Sequence, residues 1–216
     1  MFNKIDFSTY PRAEHYNYYI NFIKSKINMS YNINITNLLE KTKSESLKFY
    51  PTFIYVIMRA INDIKEMRMA VDKDGNLGYY DYCNPSYTIF HKDDKTFSDI
   101  WTPYSKDFKE FYSNAVNDME KYKDVKGVKA KPDKPDNFIP LSCVPWLSFS
   151  ACSYDTYSPS PMLFPVIVFG KYFKQDNETF LPFTVFATHA VCDGYHVCLL
   201  INTIEELCKN CSDFIK

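Results

Sequence analysis

Residues 186–196 read FATHAVCDGYH. The stretch leaves an aromatic and β-branched run, FLPFTVFAT, and enters a run whose apolar residues recur at helical spacing. It therefore reads as a strand ending near Thr188, a turn, and a helix beginning near Gly194. His189 falls in that turn, four residues before Asp193, at a strand end where functional side chains are often displayed. A neutral imidazole, with an ordinary pKa of about 6.5, accepts a proton at neutral pH and returns it. That suits it to deprotonate a hydroxyl or thiol during group transfer. Gly194 lets the backbone bend sharply. On these residues alone two other readings stand. One is a buried histidine that only hydrogen-bonds backbone, the simpler account of a lone HxxxDG. The other is a metal set of His189, Cys192 and His196, which has suitable ligand types but no fourth ligand nearby.

Working outward, the final helix spans about Tyr195 to Cys208, with Val197, Leu200, Ile201, Ile204 and Leu207 on its inner side. Three strands are expected before it, in WLSFSACS, FPVIVFGKY and FLPFTVFAT. Residues 8–23 read as a helix entry, with Ser8 or Thr9 as cap, Pro11 in the first turn and Glu14 early. NMSYNINIT alternates as a half-exposed strand, and Thr36 caps a short helix, NLLEKTKSE. YPTFIYVIMRAINDI is apolar around nearly its whole circumference, so a buried central helix is expected. DKDGNLGYY carries turn residues, SYTIF and TFSDIW flank a polar turn, and Ser105 stands as the cap of an amphipathic helix over 106–123. KGVKAKPDKPDN reads as an exposed loop. Helices and strands mix without regular βαβα alternation. The expected fold is α+β, an irregular two-layer α/β arrangement with a mixed sheet, in one domain over 1–216.

The 216 residues allow one domain with a substantial core. Eighteen Tyr and eighteen Phe imply large rigid contact surfaces in the core or between subunits. Lys plus Arg (25) nearly balances Asp plus Glu (26), so the charge gives no general attraction to nucleic acid or to an acidic membrane. A small molecule or another protein is the expected partner. Seven irregularly spaced cysteines do not form a disulfide framework and fit a reducing compartment. The N-terminus lacks an apolar signal region, and no apolar run approaches the ~20 residues of a membrane span, so a cytoplasmic, soluble protein is expected.

HAVCDGYH, after a strand and before a helix, resembles the signature of the chloramphenicol acetyltransferases, which share HxxxDG with the acyltransferase cores of 2-oxo acid dehydrogenase complexes. Further blocks follow in the family's order: YPRAEHYNYY, KFYPTFIYVIMRAIN, EMRMA, YTIFHKDDKTFS, MEKYK, PWLSF and FGKY. The resemblance implies a CoA-dependent O-acetyltransferase with acetyl-CoA as co-substrate, no permanently bound cofactor and no metal. It implies a small-molecule hydroxyl acceptor, chloramphenicol, and a homotrimer with active sites between subunits. His189 would be the general base, and Asp193 would pair with Arg12 in the opening helix as structural support. Tyr19, Thr88 and Phe97 would line the acceptor pocket, and Lys171 and Tyr172 would meet the CoA nucleotide.

Several positions depart from the family's pattern. Thr188 replaces the first of two consecutive histidines. Ala151 stands where a serine hydroxyl would stabilise the tetrahedral oxyanion, with Ser150 one residue early, and on a strand that shift turns a side chain to the opposite face. Val168 replaces a threonine, Ile27 an aromatic, and Asp99 a small apolar residue. A carboxylate in an acceptor pocket disfavours an apolar-armed antibiotic unless it is paired. These departures keep two alternatives in view: the same fold and base with another acceptor, and a weak homologue that binds ligand without useful turnover.

Overall fold

Pro182 sits inside an eleven-residue strand, Glu178–Thr188, and the strand pairing is arranged around it. The computed structural model describes residues 1–153 and 162–216. The first half of the chain forms β1 (Phe2–Lys4), α1 (Ala13–Asn17), a π-helical turn (Tyr18–Ile23), β2 (Lys26–Asn34), α2 (Thr36–Ser44) and α3 (Phe49–Asp63). Next come β3 (Met69–Val71), β4 (Leu77–Tyr80), β5 (Asn84–Phe90), β6 (Phe97–Trp101) and α4 (Phe108–Tyr122). The remainder contributes β7 (Phe138–Val144), β8 (Val166–Gly170), β9 (Phe173–Gln175), β10 (Glu178–Thr188) and α5 (Gly194–Lys209).

The main sheet runs β2-β10-β8-β7-β5-β6, with β9 also on β10. It is mixed: β7 is parallel to both β5 and β8, and the other pairs are antiparallel. On one side of β10, β9 covers Glu178 to Phe180 and β8 covers Phe183 to Phe186. Pro182, which has no N–H to offer, falls in the gap between them. A second small sheet, β1-β4-β3, flanks the first.

Side-chain alternation gives the sheet two unlike faces. Leu181, Phe183, Val185 and Ala187 of β10 join Ile167, Phe169, Leu141 and Tyr87 in the core under the helices. At its centre lies α3, buried from Pro51 to Met58 and packed against α4 and α5. The opposite, outer face carries Thr184, Val168, Thr88 and Asp99. Thr184 and Val168 are buried there. The segment after β7 passes over this face. Lys171 N donates to Leu147 O (3.0 Å), Ser148 Oγ donates to Lys171 O (2.8 Å), and Asn28 Nδ2 lies 3.5 Å from Ser153 Oγ. A Cβ on Gly170 would stand 2.8 Å from Leu147 O and from the Phe149 ring, so glycine is what lets this strap lie close.

Four local expectations need correction, the first being that Thr36 caps α2: it is that helix's first residue, and Ile35 at the cap position makes no side-chain cap hydrogen bond. WLSFSACS is not a strand: the chain turns at Pro145 and Trp146, and the strand is the preceding segment, β7. The cap of α4 is Asp107, whose side chain accepts from Glu110 N, while Ser105 Oγ donates to the Glu110 carboxylate. The opening helix is only Ala13–Asn17 before it widens into the π-turn, capped by neither Ser8 nor Thr9.

Candidate active site

The turn between β10 and α5 is tight because Val191 N and Cys192 N both donate to Thr188 O (3.1 and 3.0 Å). His189 N donates to Ser25 O (3.1 Å), which ties the turn to the segment before β2. The imidazole Nδ1 lies 3.1 Å from Cys192 O. A carbonyl oxygen only accepts, so Nδ1 carries the proton and Nε2 keeps an open lone pair. The Tyr19 ring, from the π-turn, stacks on this imidazole at 3.8 Å and 11°. Sequence reading had no signal for the Cys192 carbonyl, since backbone acceptors leave no trace in side-chain identity.

Asp193 caps α5, accepting from Tyr195 N (3.1 Å). Its Oδ2 takes a hydrogen bond from Arg12 Nη1 at 2.7 Å, and its Oδ1 lies 2.8 Å from His196 Nδ1. Burial pushes the Asp193 carboxyl up, but the Arg12 hydrogen bond, with His196 and the guanidinium charge, outweighs it and holds the pKa below the usual value. His196 is thereby engaged in the cap, and among the described residues no group of three His, Cys, Asp or Glu is placed to hold a metal ion.

Lys171 and Tyr172 lie at the other end of the sheet. They border a cavity of about 660 Å³, otherwise mostly apolar, whose lining includes Phe49, Tyr50, Thr88 and Cys143. Burial raises the Cys143 thiol to about 12, so it stays protonated. The register of β8 on β10 puts Lys171 level with Leu181. His189 is eight residues further on, roughly 26 Å along the strand. Phe97 is not part of the cavity. It sits exposed on the outer face, paired across β5 and β6 with Phe90, and Thr88 stands opposite Asp99. One chain thus separates the turn with His189, Tyr19, Arg12 and Asp193 from the group formed by Thr88, Phe97, Lys171 and Tyr172.

Over residues 1–205 the chain matches the family of chloramphenicol acetyltransferases. A chloramphenicol acetyltransferase of Clostridium butyricum is 41% identical over 215 residues, covering 100% of this chain and 98% of the relative. One of Clostridium perfringens is 43% identical over 209 residues, covering 97% and 95%. The chain belongs to the chloramphenicol acetyltransferase family. It is accordingly an acyltransferase, and a solved chloramphenicol acetyltransferase, 23% identical, shares its fold at a TM-score of 0.83 with 100% of both chains covered.

Within this chloramphenicol acetyltransferase fold the positions that depart from the pattern have definite surroundings. Ser150 and Ala151 are exposed on the strap, which is irregular there, so the alternation argument for Ser150 does not apply. Ser148 is engaged with the Lys171 carbonyl. Val168 faces Thr184 across the strand pair, and Thr184 Oγ1 lies 2.7 Å from Ser30 Oγ. Asp99 does not stand alone: Ser86 Oγ is within 2.8 Å of both its oxygens and Lys134 Nζ is 2.8 Å from Oδ2. Lys134 comes from the loop over residues 126–137, expected to be exposed but partly buried at Ala130, Lys131 and Lys134.

Proposed function

We propose that this chain transfers the acetyl group of acetyl-CoA to a hydroxyl of chloramphenicol, as a homotrimer in the cytoplasm. The carrying observation is His189, whose Nδ1–H is held by the Cys192 carbonyl so that Nε2 is free to accept a proton. His189 Nε2 takes the acceptor's hydroxyl proton while the oxygen attacks the thioester carbonyl carbon. The tetrahedral intermediate collapses, the C–S bond breaks, and the leaving CoA sulfur takes the proton from the imidazolium. Base and proton count are restored. Arg12 and Asp193 hold the turn, and the Tyr19 ring lies against the imidazole beside the acceptor.

Lys171 and Tyr172 receive the CoA nucleotide at the mouth of the cavity, ammonium to phosphate and ring to base. Thr88 and Phe97 contact the acceptor. The offset of roughly 26 Å along the sheet direction that separates His189 from Lys171 in one chain supports a site shared between subunits, the turn of one meeting the outer face of the next. Exposed Tyr18, Phe22, Phe97 and Trp146 fit such contacts.

The resemblance puts Ala151, exposed on the strap, at the oxyanion serine's place, where it offers no hydroxyl, while Ser142 stands beside Val168 on the sheet. One such donor is worth about 10²–10³ in rate and a general base about 10²–10⁴. The base is present, so a slow enzyme is expected rather than an inert one. Thiol release from acetyl-CoA, with and without chloramphenicol, tests the reading in wild type and His189→Ala. Chloramphenicol-dependent release that falls by at least about 10² in the variant supports it. No chloramphenicol-dependent release from wild type would overturn the acceptor, and equal release from the variant would overturn the base.

A further inference from the structure

We propose that Lys134, by neutralising Asp99, is what allows the acceptor wall of this chain to take an uncharged aromatic diol. The inference rests on the acceptor reading of Thr88 and Phe97 given above. Asp99 lies directly across β5 and β6 from Thr88 and two residues from Phe97, on the same outer face. Its side chain is 20% exposed and that of Lys134 24%, so the pair is largely dehydrated yet reachable.

Two hydrogen bonds and a ring contact hold the Lys134 ammonium. Lys134 Nζ lies 2.8 Å from Asp99 Oδ2, 3.2 Å from Ser86 Oγ and 4.1 Å from the centre of the Phe138 ring. The loop that brings it is anchored on the same residue, because Asp99 N donates to Val128 O (2.8 Å) and Ala130 N donates to Asp99 O (3.1 Å). The wall therefore presents a pair without net charge. Covering a lone carboxylate with a neutral aromatic molecule would strip its water without replacing it. Covering the pair does not, since each charge keeps its partner. With Lys134 removed, the same wall carries one uncompensated negative charge and favours a cationic acceptor.

The test measures KM and kcat for chloramphenicol, and KM for acetyl-CoA, in wild type, Lys134→Met and the double variant Asp99→Ala/Lys134→Met. Lys134→Met is expected to raise the chloramphenicol KM about tenfold, with acetyl-CoA KM and kcat within about twofold. The double variant should return the chloramphenicol KM to near wild type, an effect that a purely structural role for the loop would not produce. An unchanged KM in Lys134→Met, or no recovery in the double variant, overturns the inference while leaving the proposed activity intact. Wild type without chloramphenicol turnover overturns both. Should Lys134→Met fail to fold, Asp99→Asn leaves an uncompensated lysine in an isosteric wall. A raised chloramphenicol KM there supports the inference, and an unchanged one overturns it.

Discussion

His189 is fixed on three sides, by its own N–H on Ser25, by Nδ1–H on Cys192 and by the Tyr19 ring, and only Nε2 is left uncommitted. The turn that carries it depends on Asp193, which both caps α5 and meets Arg12. Because the folded state holds the Asp193 carboxyl below its usual value, the ionised group stabilises the fold at every pH above the unfolded carboxylate value of about 3.9. That contribution is lost as pH falls through the lower, folded value. Asp193 is one-third exposed, so solvent screening keeps the effect modest. Asp193→Asn is expected to lower Tm by about 2 °C at pH 7, with the gap to wild type closing below about pH 4. A gap that persists undiminished at pH 2 would assign the effect to shape rather than charge. The turn was legible in the sequence because strand, histidine, aspartate and glycine are local to one another. The Asp99 environment was not, since its partner lies 35 residues away in a loop whose composition signals only exposure.

At the scale of elements, the strands beside the site were read with one displacement. WLSFSACS alternates well enough to pass for a strand, yet the chain turns at Pro145 and the strand is FIPLSCV. Pro140 stands within that strand, level with Ser86 of β5, one residue before β8 joins at Leu141. The π-turn after α1 was equally hidden, because six residues make little more than one turn, too few to set a period of their own. The strap that follows β7 depends on Gly170 having no side chain. In Gly170→Ala, the new methyl would stand 2.8 Å from a backbone carbonyl that cannot rotate away. The expected cost is about 1–3 kcal/mol, read as a lower Tm together with a higher acetyl-CoA KM, since the strap is bonded to Lys171. Unchanged values for both would show that the strap shifts freely.

For the whole molecule, the mixed sheet under one layer of helices follows from the buried α3 and the alternating strands, which is why the fold class could be read from the sequence. The offset of His189 from Lys171 along the sheet was not legible in any one segment, because strand register is a property of pairing, and only the family resemblance pointed to sites between subunits. Under the proposed assembly, His189→Ala and Phe97→Asp chains are each inactive but carry complementary defects. Co-assembled in equal amounts, they should regain roughly a quarter of wild-type activity, through interfaces where both halves are intact. No recovery in verified mixed trimers would place the whole site within one chain.

The same separation shapes the dependence of activity on expression. In the proposed trimer, a newly made chain holds the proposed base at one end of a sheet and the cavity proposed for acetyl-CoA at the other, and becomes competent only on meeting its sisters. Output at low copy number then rises more steeply than the number of chains, so a promoter change that doubles synthesis more than doubles the acetylation a sparsely expressing cell performs.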